Sequence, residues 1–357
     1  MADATPDLTE TVELAVGGKL YAGWTGVRVT RAIDAITGDF SLSLAWKDDA
    51  AAPEFPVAPD DKCQLRLGGE TVIDGAIDAV SITISENEHS LQVEGRDRTA
   101  DLADCSAVNK PGSWTNVRLE AIAADLAKPF GVKVTAKAST GAPIAKFAIQ
   151  PGETVQAAIE RLLRFRGLLA VPTATGDLEI ITPAEGAPAF ALVLGVNIKS
   201  ATGRRDHRER FSDYIVKGQA SGNDQRHGKA ASQIKGSARD SEVRRYRPLL
   251  IVAEDQADGA SAATRAKFEA GVRKGRSIGA EIVTLGWRAS PGGPLFAPAM
   301  AGRVQCAPIT IDSVLLCASV TLTKDEGGTT ATLSMAPAGA FAQLAEEPKA
   351  KAKGKGK

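Results

Sequence analysis

Hydrophobic and polar residues alternate through Val12–Trp46. Val27, Val29 and Arg31 share one side of a run whose other side carries Arg28 and Thr30, and Phe40, Leu42, Leu44 and Trp46 alternate with Ser41 and Ser43. A period of two marks half-buried strands. Gly17-Gly18 lies between two such runs and suits the positive-φ turn of a tight hairpin. The stretch therefore predicts a strand, a Gly-Gly turn, a short strand and two longer strands folded back at Ile36–Asp39. The same text resumes at Cys63–Leu67, Thr71–Ile73, Ala76–Ile84 and Ser90–Val93, with Gly68-Gly69 as a second turn. Six or seven short strands predict a small antiparallel barrel.

The period then changes. Leu119, Ile122, Ala123 and Leu126 recur at helical spacing, with Thr115 as the expected N-cap and Pro129 and Gly131 as the stop. Val155, Ala158, Ile159, Leu162 and Leu163 line one face of a second helix, capped by Thr154 and ended at Gly167. Val132–Thr135 reads as a strand, and Leu168–Val171 and Leu178–Ile181 as a hairpin across Thr175-Gly176-Asp177. Strand-like text returns over Leu192–Val216. Gly218–Asp240 is polar and Gly-rich and reads as a long exposed loop. Ala260–Arg273 reads as a helix, and Arg247–Ile251, Ser277–Trp287 and Arg303–Cys306 as strands. A last hairpin joins Val320–Thr323 to Thr330–Met335, and its layout echoes Val27–Trp46.

The expected fold is α+β and mainly β: two small antiparallel β-barrel domains and two smaller α/β domains. The boundaries are 1–105 for the first barrel, 106–192 for a helix-plus-hairpin unit, 193–217 with 303–343 for the second barrel, and 218–302 for an insert. Residues 344–357 form a Lys-rich tail read as a solvated low-complexity end.

At 357 residues the chain is too long for one ordinary core. Net charge is zero but unevenly spread. Residues 1–110 hold 9 Lys and Arg against 20 Asp and Glu, a net of −11, whereas residues 199–247 hold 13 against 6, a net of +7. Such asymmetry fits solvated faces or complementary surfaces between copies or partners. No basic-then-apolar leader opens the chain, and no apolar run approaches the ~20 residues that span a bilayer. Folding in a reducing cytoplasm is expected. Cys63, Cys105, Cys306 and Cys317 form no CxxC pair and read as buried free thiols.

Candidate chemistry is sparse. His89, His207 and His227 show no paired spacing for a metal. Gly222–Lys229 resembles a phosphate loop but has the wrong spacing, and Ala230 stands where Ser or Thr would hold magnesium. Ser113 lies in no nucleophile elbow. Asp97, Asp101 and Asp104 are spaced carboxylates without the Gly and closing Glu of a calcium loop. Glu153 and Glu160 read as one charged helix face. Arg204–Arg210 and Arg244–Arg247 are basic patches with only Phe211, Tyr214 and Tyr246 nearby, a weak basis for nucleic-acid recognition. The residues give no catalytic, cofactor-binding or metal site.

The order of segments carries more. V-x-L-x-V-G-G-K-x-Y-x-G-W, then V-R-V-T-R and D-F-S-L, resembles the start of the baseplate hub protein of Mu-like contractile-tailed phages. GRDRTADLADCSA, GETVQAAIERLLRFRGLLAVPTATGDLEI, the stretch from Asp255 to Arg288 and SVTLTKDEGGTTATLSM follow in that family's order. The resemblance implies a structural protein, not an enzyme, acting without cofactors in the tail baseplate of a virion and assembled in host cytoplasm. It implies a homotrimer whose six barrels form a ring between the sixfold tail tube and the threefold central spike. DNA would be non-specific passing cargo, and no membrane insertion is involved. Acidic residues among 1–110 would then partly line the channel and repel phosphate. The rival readings are a cell-wall glycan-binding tail module, which calls for exposed aromatic platforms, the hub of a phage-derived injection system, and a wall hydrolase, which calls for a convergent acid or nucleophile set.

Overall fold

The computed structural model describes residues 10–46, 57–86, 89–184, 186–218, 234–252 and 259–344. The first seven strands are β1 (Val12–Val16), β2 (Lys19–Tyr21), β3 (Gly26–Ala32), β4 (Asp39–Trp46), β5 (Lys62–Leu67), β6 (Glu70–Ile84) and β7 (His89–Asp97). They run side by side in the order β3-β4-β7-β6-β5-β1-β2. Alternation in the sequence becomes alternation of burial: β3 buries Val27, Val29 and Arg31 and turns Arg28 outward. Gly17 and Gly18 take φ of +57° and +79°, as the tight turn requires.

A compact α+β module follows. It comprises α1 (Ala100–Asp104), β8 (Ser113–Val117), α2 (Leu119–Ala127), β9 (Val134–Ala136), β10 (Ile144–Ala148), α3 (Val155–Arg164), β11 (Leu169–Pro172) and β12 (Leu178–Ile181). The apolar faces of α2 and α3 share one core with Trp114, Phe147, Leu178 and Ile180. Thr154 caps α3, its Oγ1 accepting the Ala157 N–H at 3.2 Å. Thr115 does not cap α2; it lies within β8, and the N-cap position is held by Arg118.

The remaining elements are β13 (Phe190–Val193), β14 (Ile198–Arg205), β15 (Asp213–Gly218), β16 (Ile234–Arg239), β17 (Pro248–Val252), α4 (Gly259–Arg276), β18 (Ile278–Leu285), β19 (Ala301–Cys306), β20 (Ile311–Asp325) and β21 (Gly328–Ala336). β15, β16 and β17 form a small sheet on which α4 packs through Ala262 and Ala266, against Tyr214 and Val216. β16 falls inside the stretch read as loop, Gly218–Asp240; residues 219–233 of that stretch, with His227 and the Gly222–Lys229 segment, lie outside the described residues. β18, which the sequence divides off with the 218–302 insert, joins the large sheet between β14 and β21.

The main correction concerns the barrels. Among the described residues neither half closes on itself; a single 13-stranded sheet runs through both, because β20 pairs antiparallel with β3. One hydrophobic cluster accordingly joins Leu14, Phe40 and Val93 to Leu192, Ile282, Leu322 and Leu333.

The two halves repeat one four-stranded unit. β3-β4-β7-β6 corresponds to β14-β18-β21-β20, strand for strand. The registers match as well. Arg28–Ser41–Glu94–Ala79 lie opposite one another across the first unit, and Thr202–Glu281–Ser334–Ser319 across the second. Both long strands bulge at the same point, between Ile77 and Ala79 in β6 and between Cys317 and Ser319 in β20. The counterpart of the last hairpin is thus β6–β7 rather than the β3–β4 hairpin that the sequence echo indicates.

Candidate assembly surface

The residues singled out for chemistry do not converge. Asp97 is buried, with the Gly38 N–H donating to its Oδ2 at 2.7 Å and the Thr99 hydroxyl to its Oδ1. Burial pushes its carboxyl up to about 6, against the hydrogen bonds of Thr99 and Gly38 and the charge of Arg31. Arg31 is itself buried and donates from Nη2 to the Pro172 carbonyl at 2.7 Å, tying β3 to β11 of the α+β module. Asp104 instead meets Arg96 at 2.9 Å, and Asp101 stands in the first turn of α1. Glu153 accepts two hydrogen bonds from Arg161, and Glu160 one from Gln156. Ser113 is exposed on β8, His89 begins β7, and His207 lies 3.1 Å from Arg210. Among the described residues no His, Cys, Asp and Glu group could hold a metal ion. No helix there is long and apolar enough to cross a membrane.

The basic stretch 204–210 is divided. Arg204 and Arg208 both grip Asp206 at 2.6 Å, holding its carboxyl well below the usual range. Arg210 points inward and bonds Asp240 at 2.5 Å in a buried pair, so it offers no charge to a polyanion. Arg247 lies over the Phe211 ring at 5.2 Å, and Tyr246 is exposed. Cys63, Cys306 and Cys317 are buried as expected, with the Cys63 and Cys317 thiols pushed up to about 12, but Cys105 is exposed.

What the fold does build is a broad face. The core covers one side of the eight strands β14-β18-β21-β20-β3-β4-β7-β6. Their opposite side carries small hydroxyl groups in adjoining columns: Thr202 on β14, Ser334, Thr332 and Thr330 on β21, Ser319, Thr321 and Thr323 on β20, Thr30 on β3, Ser41 and Ser43 on β4. Thr323 and Thr330 bond through their hydroxyls at 2.7 Å across β20 and β21. The charges over β3, β4 and β7 on this face come in both signs, Arg28 and Arg96 against Asp39 and Glu94. At one margin lies an open groove of ≈ 700 Å³ lined by Asp34, Arg204, Glu281, Met335 and Phe341 among others.

A molecule that spends its largest sheet on a smooth, hydroxyl-covered face and its charges on paired arginines and carboxylates belongs to the class of tail-assembly proteins, on the evidence of its relatives. Residues 11–97 match the N-terminal domain of Mu phage baseplate assembly protein GpP-like proteins, and residues 99–182 the second domain of baseplate hub protein gp44-like proteins. Residues 210–267 match the third domain of NMB1110-like tail proteins, and 258–344 the fourth domain of Mu phage baseplate assembly protein GpP. The chain is 35% identical to the baseplate hub protein gp44 of Escherichia phage Mu over 97% of its own length and 93% of the relative's. It therefore belongs to the Mu baseplate hub protein family. The 43 kDa tail protein of prophage MuSo2 from Shewanella oneidensis shares its fold at a TM-score of 0.84 and 34% identity, covering 94% of this chain and all of that one. A tail protein from Neisseria meningitidis MC58 matches at 0.77 and 22% identity over 94% of this chain and 98% of that one. The protein is thus a structural baseplate component of a phage tail.

Proposed function

We propose that the chain acts as a trimeric ring at the hub, joining the sixfold tail tube to the threefold central spike and leaving a channel for DNA. The observation that carries this reading is the internal repeat. Two equivalent four-stranded units per chain, taken three times, present six similar units around an axis that has only threefold true symmetry. Such an object meets a sixfold partner on one side and a threefold partner on the other.

In this reading the hydroxyl face lines the channel. It is charge-balanced over β3, β4 and β7 rather than acidic, so the low adhesion to a passing duplex comes from short side chains without net charge, not from phosphate repulsion by the 1–110 acids. The virion tail is the working location and the host cytoplasm the place of assembly.

Native mass and electron microscopy of the purified protein test the reading. Threefold rings with a central opening are the expected result. A stable monomer at high concentration, with no annulus, would overturn it.

A further inference from the structure

Residues 33–38, between β3 and β4, leave the large sheet and enter the α+β module. Ile36 is buried in the core that α2 and α3 share, and Ile33 packs with Val171 of β11 and Leu316 of β20. Two arginines grip the same module from the ends of β3 and β7. Arg31 donates to the Pro172 carbonyl at 2.7 Å, and Arg98 donates to the Thr175 carbonyl between β11 and β12. Asp97 and Thr99, both buried, stand at this joint.

Their oxygens are short of one proton. The Thr99 hydroxyl lies within hydrogen-bond distance of Oδ1 of Asp97 and, at 2.5 Å, of the Ile36 carbonyl oxygen. A carboxylate and a carbonyl only accept, and a hydroxyl has one proton to give. With Asp97 ionised, Thr99 serves one of the two acceptors and leaves the other. One proton on Asp97 completes the chain: Oδ1–H donates to the Thr99 Oγ1, and Thr99 donates to Ile36. Oδ2 accepts the Gly38 N–H at 2.7 Å in either state. The carboxylate is the stronger acceptor, so ionisation turns Thr99 away from the Ile36 carbonyl.

We propose that Asp97 and Thr99 form a proton-operated latch between the large sheet and the α+β module: the protonated pair fastens the Ile36 carbonyl, and the ionised pair releases it. The latch does not depend on the ring reading above. Ile36 is the apolar plug of the 33–38 loop, so its release loosens the seat of the module while Arg31 and Arg98 keep the module attached.

The surroundings set the range in which it works. Burial pushes the Asp97 carboxyl up to about 6, against the hydrogen bonds of Thr99 and Gly38 and the charge of Arg31. The latch is therefore closed below that value and open above it. Arg31 of β3 is the buried charge that acts on the carboxyl. The other charged groups of the elements around the joint are engaged or exposed. Asp74 of β6 meets Arg98 at 3.5 Å, and Asp78 of β6 and Asp104 of α1 meet Arg96 at 2.8 Å and 2.9 Å. Asp177, before β12, accepts the Lys133 N–H at 3.0 Å. Asp34 of the loop, Asp39 of β4 and Asp101 of α1 are exposed.

Carbon-13 resonances of the wild-type protein, followed between about pH 5 and pH 7 on either side of the Asp97 value, test the latch without any substitution. The Ile36 carbonyl and the Asp97 side-chain carboxyl are expected to shift with a common midpoint. Amide exchange over residues 33–38, corrected for its intrinsic pH dependence, should speed up by about fivefold across the interval, the factor that one ordinary hydrogen bond represents. Thr99→Val removes the hydroxyl at similar size and should abolish the Ile36 response while Asp97 still titrates. Asp97→Asn, whose Nδ2 can donate to Thr99, should hold the Ile36 carbonyl at its acid position throughout. An Ile36 carbonyl that stays still while Asp97 titrates overturns the latch. So does an Asp97 that keeps one protonation state over the interval, or exchange in 33–38 that stays level.

Discussion

Ile82 and Leu322 occupy the same position in two copies of one four-stranded unit, yet Leu322 is 2% exposed and Ile82 is 64% exposed. Leu322 has Val29 of β3 as its partner on one side, whereas Ile82 is paired only with Leu91 of β7 among the described residues. Leu322→Ala removes a fully packed side chain and is expected to cost about 2–5 kcal/mol in denaturant unfolding. Ile82→Ala should change stability in the same titration by less than about 0.5 kcal/mol, because the side chain is already largely in solvent. Equal losses from both would show that Ile82 is packed in solution as Leu322 is.

The Asp97 carboxyl gives the fold a pH dependence of known sign. Its folded value, about 6, lies above the ordinary carboxylate value because burial outweighs its hydrogen bonds and Arg31. In the interval between the two values the folded chain keeps a proton that the unfolded chain releases, so stability falls as pH rises through that window. Going from pH 5 to pH 7 should cost on the order of 1 kcal/mol through this group. Asp97→Asn should flatten that slope, as measured by urea titration at the two pH values; an unchanged slope would show that Asp97 does not titrate there.

Arg210 and Asp240 form the buried ion pair of the small β15–β17 module, and Glu242 joins them from an exposed position. Removing one partner of a buried pair strands the other charge. Asp240→Ala is therefore expected to destabilise this module by about 3–5 kcal/mol, seen as faster amide exchange over residues 213–218 and 234–252. Glu242→Gln acts on a group that is 53% exposed and should cost less than about 1 kcal/mol.

Gly75 sits where β6 crosses β7. A Cβ there would lie 1.9 Å from the Arg96 carbonyl oxygen and 2.5 Å from the Asp97 Cα, both backbone atoms that cannot swing aside. Gly75→Ala should lose at least about 2 kcal/mol or fail to fold, whereas Gly186→Ala, with open space around it, serves as the neutral control in the same thermal melt.

Much of the local structure was legible along the chain. The alternation in Val27–Arg31 and Phe40–Trp46, the Gly17-Gly18 and Gly68-Gly69 turns, the Thr154 cap and the apolar stripe of α3 each act over a few residues, and sequence carries such short-range information directly. The order of segments also placed the chain beside Mu-like baseplate hubs. Thr115 is no cap although its own neighbourhood favours a helix start, because its pairing with Lys146 holds it in a strand. Ile234–Arg239 showed no apolar period because β16 presents Gly236 and Ala238, rather than large side chains, to the module core around α4.

The sequence by itself determined where strands and helices run, which side of each is apolar, and which family the residues resemble. It did not determine that β20 leaves its own half to pair with β3, merging two expected barrels into one sheet, because strand pairing depends on backbone groups that every residue shares. Nor did it reveal that Ile82 stands exposed: in sequence it is one more apolar position in an alternating strand. Only the tertiary arrangement shows that, among the described residues, β7 alone pairs with it, and that its twin in the other half is covered on both sides.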